Sequence, residues 1–375
     1  MHEFKQEKPA DFAHAYKKSE NKDINNVVID TLHTSLADFI AGKEKKYFDT
    51  IISINPEFWE SLHNEIERDY SKIFKGRLEK MSIWSDKYFI SSDIDTCTLF
   101  YPFSGPDFLH ANFLYPHADE YILLALEKVG KIPDWKDIGV NASQNYLENT
   151  NEFLRDIYLR SYFITKHMRK DIEEESKGSG VLSSLYWFLS RTDHHIVKVE
   201  RVTLDSEGMI ISIDKQSNLD GVRFYFVKKG GNHVKKLTYF SCDISNRGFR
   251  EKNPELLIFL NNMKECNTFI KSASYLMHYR SFTDIRNIIL SKSLTIFQDD
   301  TGIPFKNINN DTWTLECFGN YIKPVADFEK SMDIIYQKDL EEFYKNNKKQ
   351  KLPFSLGYHW KSPLHQNQML ISRIK

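Results

Sequence analysis

The sequence contains no apolar run long enough to span a bilayer. A transmembrane helix needs about 18 consecutive apolar residues, whereas the longest run here, at residues 121–126, has the length of a buried strand. The first residues also lack the apolar segment of a signal peptide. The folded part is therefore predicted to be soluble, and we expect either a cytoplasmic protein or one whose leader has been removed.

An excess of one charge is also absent. Lys and Arg together number 51 against 52 for Asp and Glu, which gives a formal net charge of -1. No overall electrostatic field then recruits nucleic acid, an anionic membrane or an acidic substrate. We therefore predict no nucleic-acid partner, and any ligand has to be inferred from local groups.

Cysteine is scarce and lacks the spacing of a metal site. The four residues are spread over more than half of the chain, with no C-x-x-C pair and no histidine at zinc-ligand spacing: Cys97, Cys242, Cys266 and Cys317. We predict four small buried hydrophobic side chains and no metal site. One or two disulfides in an oxidising compartment stay open, because sequence alone does not give a pairing.

The motifs of the common hydrolases and nucleotide enzymes are missing. The sequence has no G-x-S-x-G, no H-E-x-x-H and no Walker loop. Gly178 and Gly180 follow a run of charged residues and no strand, so they do not match a phosphate-binding loop. These patterns assign neither a cofactor nor a reaction.

What is present indicates a globular chain with one large domain. Hydrophobic residues make up 41% and aromatic residues 14%, enough for a sizeable core. Residues 1–26 are polar, which predicts a flexible N-terminal tether. Residues 27–375 are predicted to form one α+β domain, with N-terminal helices at 27–90 and a mixed βα part at 91–190.

The pattern changes near residue 194. Four β-rich segments at 196–204, 209–213, 222–227 and 234–243 are separated by turns that contain glycine. Such spacing predicts consecutive hairpins, so residues 194–244 are expected to form an antiparallel β-meander. Residues 253–375 return to mixed structure. Hairpins that follow a mixed region favour an α+β fold over a doubly wound one.

The chain is organised around a turn between a strand-like run that ends at residue 102 and a helix-like run. Gly105 permits a backbone conformation that a Cβ would hinder, and Pro106 suits the first position of a helix. Ser104 or Asp107 can accept hydrogen bonds from the first turn of that helix, which contains His110. The same amides could instead hold an anionic ligand beside Ser104.

Three further residues complete the predicted ligand site. Residues 120–127 read as a buried strand that pairs in parallel with the strand before the turn, which places Glu127 near it. Lys271 is a candidate anion contact, and Asp299 follows another strand-like run. Asp299 and Asp300 are expected to cap a turn, since adjacent carboxylates do not converge on one metal. The predicted ligand-binding set is Ser104, Asp107, His110, Glu127, Lys271 and Asp299.

Four segments are distinctive as a set: YPFSGPDF at 101–108, KSASYL at 271–276, QDDTGIP at 298–304 and LPFSLGY at 352–358. They make the chain similar to an uncharacterised family of bacterial proteins that includes lipoproteins and has no established activity. The likeness covers most of the chain after about residue 55. The resemblance implies a cell-envelope protein, in the periplasm or on the outer membrane, with its leader removed. The alternative is a cytoplasmic protein.

Two functions are consistent with these observations. The first is an envelope-associated binding or structural protein, whose partner is a small polar ligand or an envelope protein. The second is an enzyme, a transferase or a hydrolase, that binds a small polar ligand at the turn formed by Ser104 and Asp107. We expect the first; binding of a nucleotide, S-adenosylmethionine or a sugar would favour the second.

Overall fold

A sheet of ten strands forms the centre of the molecule. The computed structural model describes residues 27–52, 54–89, 98–160, 180–214, 217–360 and 367–375. The strands are β1 (Thr98–Pro102), β2 (Glu120–Ala125), β3 (His194–Leu204), β4 (Ile210–Ser212), β5 (Asp220–Lys228), β6 (Val234–Ser241), β7 (Cys266–Ile270), β8 (Ser293–Gln298), β9 (Trp313–Gly319) and β10 (Gln368–Ile374). Their order across the sheet is β4-β3-β5-β6-β2-β1-β7-β8-β10-β9.

The middle of this sheet is parallel and its two sides are antiparallel. Strands β6, β2, β1, β7 and β8 run in one direction, and Leu99 of β1 aligns with Tyr121 of β2 and with Asn267 of β7. On one side β5, β3 and β4 add antiparallel pairs. On the other side β10 runs antiparallel to both β8 and β9. The chain is an α+β domain, as predicted, but its meander continues a parallel sheet.

The helices precede the sheet and connect its strands. They are α1 (Thr31–Ile40), α2 (Pro56–Ile73), α3 (Glu79–Tyr88), α4 (Phe108–Leu114), α5 (Val140–Arg160), α6 (Leu182–Arg191), α7 (Asn246–Glu251), α8 (Pro254–Asn262), α9 (Thr283–Lys292), α10 (Met332–Ile335) and α11 (Lys338–Asn346). A π-helical segment, Phe74–Leu78, joins α2 to α3. Short 3-10 helices lie at Phe48–Thr50, Leu276–His278, Arg280–Phe282, Phe305–Asn307, Ala326–Ser331 and Gly357–His359.

Local side-chain chemistry accounts for the starts of the first two helices. Asp30 accepts a hydrogen bond from the backbone amide of His33 and so caps α1. Asn55 caps α2 in the same way, with Pro56 at the first helical position. Gly42 follows α1 with φ 63°, a conformation in which glycine commonly ends a helix.

The helical backbone that begins with α2 does not stop at Gly76, although glycine is unfavourable inside a helix. The chain passes through the π-helical segment and continues as α3 to Tyr88. Leu78, Met81 and Trp84 are buried there, so their packing continues the apolar stripe of α2 past the glycine. The burial of apolar surface outweighs the entropic cost of one glycine in a helix, about 1 kcal/mol.

Each face of the parallel sheet is covered by its own core. On one face Leu99, Tyr121 and Leu237 pack with residues of α1, α2 and α6. On the other face Phe100 and Ile122 pack with residues of α8 and α9. Because both faces are covered, β2 is apolar and buried without alternation over residues 121–125, as the run at 121–126 predicted.

Several further predictions can be compared with this fold. Cys242, Cys266 and Cys317 are buried and unpaired, as predicted, and Cys97 lies outside the described residues. The predicted tether at 1–26 also lies outside the described residues, and helix α5 is described as far as Arg160. No helix in the described ranges has both the length and the apolar character needed to cross a membrane.

Candidate functional site

The carboxyl ends of β1, β2, β6 and β7 enclose a cavity of about 110 Å³. From β1 the chain proceeds to β2 and β6 on one side of the sheet, and it then returns to β7 and β8 on the other side. The direction of connection therefore reverses between β1 and β7. Open α/β sheets bind their ligands outside the carboxyl ends of the strands at such a reversal.

Each of these strand ends contributes polar side chains to the cavity. Three of the six predicted site residues line it, namely Ser104 after β1, Glu127 after β2 and Lys271 after β7. Asp243, which follows the end of β6, lines it as well and was not predicted. The remaining polar lining comes from Ser272 and Ser274, and the apolar lining includes Phe103, Leu126, Ile244, Leu276 and Phe282.

Asp107 lies at the centre of a buried polar cluster that supports the cavity wall. Its side chain is 0% exposed, and its Oδ2 atom is 2.8 Å from Nζ of Lys271. The hydroxyl of Tyr101 donates to the same carboxylate at 3.1 Å, and Nδ1 of His110 lies 2.8 Å from Oδ1. Neither Asp107 nor His110 is among the residues that line this cavity, and their predicted contact with a ligand stays a prediction.

The pKa values of this cluster define its charges at neutral pH. Burial would raise the pKa of Asp107, but His110 and Lys271 hold it well below its usual range, so the carboxyl is ionised. Burial lowers the pKa of His110 to about 4, although Asp107 opposes this shift. The neutral imidazole then donates its Nδ1 proton to Asp107. Because Asp107 offsets the charge of Lys271, the predicted role of Lys271 as an anion contact is not supported.

The turn between β1 and α4 differs in detail from its prediction. Asp107 is the N-cap of α4, since its carboxylate accepts from the backbone amide of His110 at 3.2 Å. Ser104 caps nothing, because its hydroxyl donates to the carbonyl of Gly105 at 2.7 Å. Pro106 precedes the cap and is not the first helical residue. A carboxylate already occupies the position where an anionic ligand was considered.

Asp299 connects the loops that follow β7 and β8. Its Oδ2 atom accepts from the amide of Ser272 at 2.8 Å, and its Oδ1 atom accepts from the amide of Thr301 at 2.9 Å. The hydroxyl of Thr301 in turn accepts from the amide of Ala273 at 2.7 Å. Asp299 thus caps a turn, as predicted, and does not line the cavity. The described residues contain no cluster that could hold a metal ion.

Left-handed backbone conformations are concentrated at this site. Of the five described residues other than glycine with positive φ, four lie here: Phe103, Ser272, Ser274 and Tyr275. Such a conformation costs about 1–2 kcal/mol in a residue with a Cβ. Strain of this kind persists where the surroundings hold it, and it concentrates at functional sites.

Tyr275 and Tyr358 hold the strained loop after β7. The hydroxyl of Tyr275 donates to Asp300 at 2.6 Å. The hydroxyl of Tyr358 donates to the carbonyl of Ser272 at 3.2 Å and lies 2.8 Å from Oγ of Ser274. The four segments singled out in the sequence, at 101–108, 271–276, 298–304 and 352–358, therefore all contribute residues to this site.

Gly357 provides a test of this close packing. Its φ is +64°, and an added Cβ would lie 2.8 Å from both Oδ2 of Asp299 and Oγ of Ser272. We expect Gly357→Ala to lower the free energy of unfolding by about 2–4 kcal/mol, from backbone strain and overpacking together. Gly230→Ala is the matched control, since its φ is +79° with no atom within 4 Å of an added Cβ. Denaturant unfolding that gave equal losses for the two variants would contradict the contact.

Asp299 and Asp300 are a pair of buried carboxyls whose pKa values are raised. Burial, together with the charge of Asp300, raises the pKa of Asp299 to about 6. Burial raises the pKa of Asp300 to about 6 despite the hydrogen bond from Tyr275. When the pKa of a carboxyl is higher in the folded protein than in the unfolded chain, the protein is most stable below the unfolded pKa, here about 4. That stability is lost as the pH rises through the folded pKa, here about 6.

Asp300→Asn is therefore expected to stabilise the protein at pH 7 by about 1–3 kcal/mol, since one pKa unit corresponds to 1.36 kcal/mol. The amide oxygen still accepts from Tyr275. Near pH 4 the variant and the natural protein should unfold alike. The lowered pKa of His110 also makes the folded protein less stable as the pH falls from about 6.5 to about 4. This effect is the same in the variant and in the natural protein, so it cancels in the difference between their stabilities. Equal stability at pH 7 in denaturant titrations would contradict the prediction.

Comparison with known proteins gives no family for the chain. No protein-family model matches it, and no curated protein matches it. The chemistry of the site has to be inferred from its own residues.

Proposed function

We propose that the protein is a transferase that binds S-adenosylmethionine at the carboxyl edge of its parallel strands. The observation that carries this proposal is the position of Glu127. Glu127 lines the cavity at the end of β2, directly beside the turn that follows β1. This choice favours the second of the two functions considered from the sequence.

Glu127 occupies the position where doubly wound sheets bind a ribose. In those sheets an acidic residue about 20 residues after the first glycine turn hydrogen-bonds a ribose hydroxyl. Glu127 lies 22 residues after Gly105, and β2 is the parallel neighbour of β1. The residue is 8% exposed, so a bound hydroxyl would replace little competing water.

The charges of the site argue against a nucleotide with several phosphates. The first turn of α4 is capped by Asp107, and the ammonium group of Lys271 pairs with the same carboxylate. Glu127 and Asp243 add negative groups to the lining, although Asp243 also pairs with Lys252 at 3.1 Å near the surface. Such a lining suits a nucleoside that carries positive charge. S-adenosylmethionine combines a ribose with a sulfonium and an ammonium group.

The order of the strands gives independent support. Strands β6-β2-β1-β7-β8 are parallel, and the reversed strand β10 lies between β8 and β9. Seven-stranded sheets of S-adenosylmethionine-dependent methyltransferases have this order, with the reversed strand in the same place. This is a likeness of strand order, which supports a ligand class and does not by itself assign an activity.

The lining residues fit such a ligand in three respects. Glu127 would accept hydrogen bonds from the ribose hydroxyls, and Leu126 and Ile244 offer apolar surface for the base. Phe282 adds an aromatic side chain to the lining. When bound, S-adenosylmethionine supplies an electrophilic methyl group. The protein would orient it and limit the access of water.

Thermal unfolding with a ligand panel tests this proposal. S-adenosylmethionine and S-adenosylhomocysteine at 100 times their Kd should raise the Tm by about 3 °C, whereas ATP and a nucleotide sugar should not. At the same ligand concentration Glu127→Gln should reduce the shift to about half or less. Glu120→Gln, at the opposite end of β2, is the matched control and should retain it. Equal shifts with ATP, or no shift with any ligand, would contradict the proposal.

The envelope-associated binding function and the predicted family resemblance both stay predictions. A binding protein could use the same cavity without any transfer reaction. Binding of S-adenosylmethionine with no transfer to any acceptor would favour that function.

A further inference from the structure

The edge of the sheet at β4 has backbone groups that no described strand pairs. β4 is the last strand on its side of the sheet, and it pairs with β3 alone. The amide of Ile213 donates to the carbonyl of Arg201, next to the β3–β4 pair, at 2.9 Å. Along a strand of an antiparallel pair, residues bonded to the neighbour alternate with residues whose backbone groups face the other way. The backbone donors and acceptors of Ile210 and Ser212 therefore face outward.

The opposite edge of the sheet is closed by the chain itself. β9 is the last strand there, and Gln350 forms a parallel bridge with Phe318 of that strand. The amide of Gly319 donates to the carbonyl of Gln350 at 2.9 Å. Proteins protect open strand edges with charges, proline or a covering segment, because such edges pair readily with other chains. Residues 209–213, Met-Ile-Ile-Ser-Ile, contain neither a charge nor a proline.

Apolar side chains are exposed along the same open edge. Met209 is 60% exposed and Ile211 is 41% exposed. Alternation along the strand puts these two side chains on one face. A strand paired at this edge would place every second side chain beside them, and apolar cross-strand pairs stabilise a sheet. The edge therefore favours a partner strand that is apolar at every second residue.

Contacts within the chain hold this edge in a fixed shape. Asp205 accepts from the amides of Glu207 at 3.0 Å and of Met209 at 2.8 Å, which closes the turn that leads into β4. Gly208 has φ +74°, and a Cβ there would lie 2.6 Å from the amide nitrogen of Phe259 in α8. A residue without a side chain is needed for the turn to pack this closely on the helix. A partner strand would therefore bind to an ordered edge.

The charge of this edge defines the partner further. Residues 205–214 contain three acidic side chains, those of Asp205, Glu207 and Asp214, and no basic one. Both copies of a homodimer formed at this edge would carry these negative charges, which disfavours a second copy of the chain as the partner. A segment with basic residues has the complementary charge.

We propose that the β4 edge binds an extended segment of a partner protein, which adds a strand to the sheet. The segment is apolar at every second residue and has basic residues at its ends. Its backbone would pair with Ile210 and Ser212, and its apolar side chains would contact Met209 and Ile211. Three strands separate β4 from β2, so this surface is distinct from the cavity and its function is independent of the ligand there.

Binding of labelled peptides to the full chain tests this inference. The probe is fluorescein-labelled Lys-Lys-Val-Thr-Val-Thr-Val-Lys-Lys, and its binding is followed by fluorescence anisotropy. A second peptide has glutamate in place of each lysine. At about 50 mM salt, where charges are weakly screened, we expect the lysine peptide to bind at least tenfold more tightly than the glutamate peptide.

Ser212→Pro tests whether the peptide pairs with the backbone of β4. Proline removes an outward donor and keeps the pairing with β3, because an edge strand tolerates proline where its N–H faces solvent. The Kd of the lysine peptide should become at least tenfold weaker. Ser212→Ala is the matched control, since it keeps the amide and should leave the Kd unchanged within twofold. The two variants should have Tm values within about 2 °C of each other.

Ile211→Lys is a second edge variant that leaves the backbone of β4 unchanged. Its side chain is exposed, so the variant should fold. Lysine there removes an apolar contact and repels the basic probe, so the Kd should again become at least tenfold weaker.

Several results would overturn the inference. They are no saturable binding of the lysine peptide, equal binding of the two peptides, or an unchanged Kd in a folded Ser212→Pro or Ile211→Lys protein. Analytical ultracentrifugation tests the remaining occupant. A dimer of the natural protein that Ser212→Pro dissociates would assign the edge to a second copy of the chain and would also overturn the inference.

Discussion

Lys271→Met should lower the free energy of unfolding by about 3–5 kcal/mol, because it leaves the charge of Asp107 buried without its cationic partner. The side chains of Lys271 and Asp107 are 2% and 0% exposed, and their charged atoms are 2.8 Å apart. Methionine fills a similar volume, so the loss reports the charge and not a cavity. Denaturant unfolding at pH 7 measures it.

The double variant Lys271→Met, Asp107→Asn separates the ion pair from the packing. Removing both charges should recover much of the loss, since a buried pair replaced by neutral groups is often close to neutral in stability. In Lys271→Met alone the pKa of His110 should rise above about 4, because Lys271 helps to lower it. Nuclear magnetic resonance of the imidazole measures this shift. If Lys271→Met lowered the free energy of unfolding by less than about 1 kcal/mol and left the pKa of His110 unchanged, the assigned charges would be contradicted.

Phe224→Pro should unfold the whole domain. Phe224 is completely buried in β5, and it pairs with Val199 of β3 and Leu237 of β6. Proline removes a ladder hydrogen bond and is not accommodated in a central strand, which costs about 3 kcal/mol or more. Because β5 belongs to the same sheet as β1 and β2, the damage should not stay local. Soluble expression and circular dichroism report the result.

Phe224→Leu is the control for the lost aromatic side chain. It keeps the backbone donor and most of the apolar volume, so it should fold with a loss of about 1–2 kcal/mol. A Phe224→Pro protein with the solubility and circular dichroism of the natural one would contradict the placement of Phe224 in the middle of a central strand.

Local signals made much of the architecture predictable. Asn55 and Pro56 start a helix by hydrogen bonding within one turn. The short distance between residues 102 and 120 favours a parallel pair with a helix between, which β1, α4 and β2 form. The glycine-containing turns of residues 194–244 predict hairpins for a similarly local reason.

The placement of the meander depended on contacts that no local pattern encodes. Strand β6 pairs with β2, more than 100 residues earlier in the chain. The meander therefore extends the parallel sheet and brings Asp243 to the cavity. No local pattern in residues 194–244 indicates a pairing with β2, so the sequence alone does not place Asp243 near Ser104.

The candidate site was predictable in position and only partly in detail. Ser104, Glu127 and Lys271 line one cavity because each follows a strand of the parallel sheet. The partner of Asp107 is Lys271, which lies 164 residues later, so the neutral cluster could not be inferred from spacing. The role of Tyr358 was missed for the same reason, although its segment had been recognised as distinctive.

Isothermal titration with S-adenosylmethionine tests the central claim most directly. We predict one molecule bound per chain, a Kd at least tenfold weaker in Glu127→Gln, and an unchanged Kd in Glu120→Gln, whose carboxylate pairs with Arg223 at 3.1 Å. A tenfold change corresponds to 1.4 kcal/mol, the scale of one hydrogen bond to a charged group. No binding to the natural protein, or equal binding to Glu127→Gln, would contradict a ribose-binding site at the carboxyl edge of the sheet.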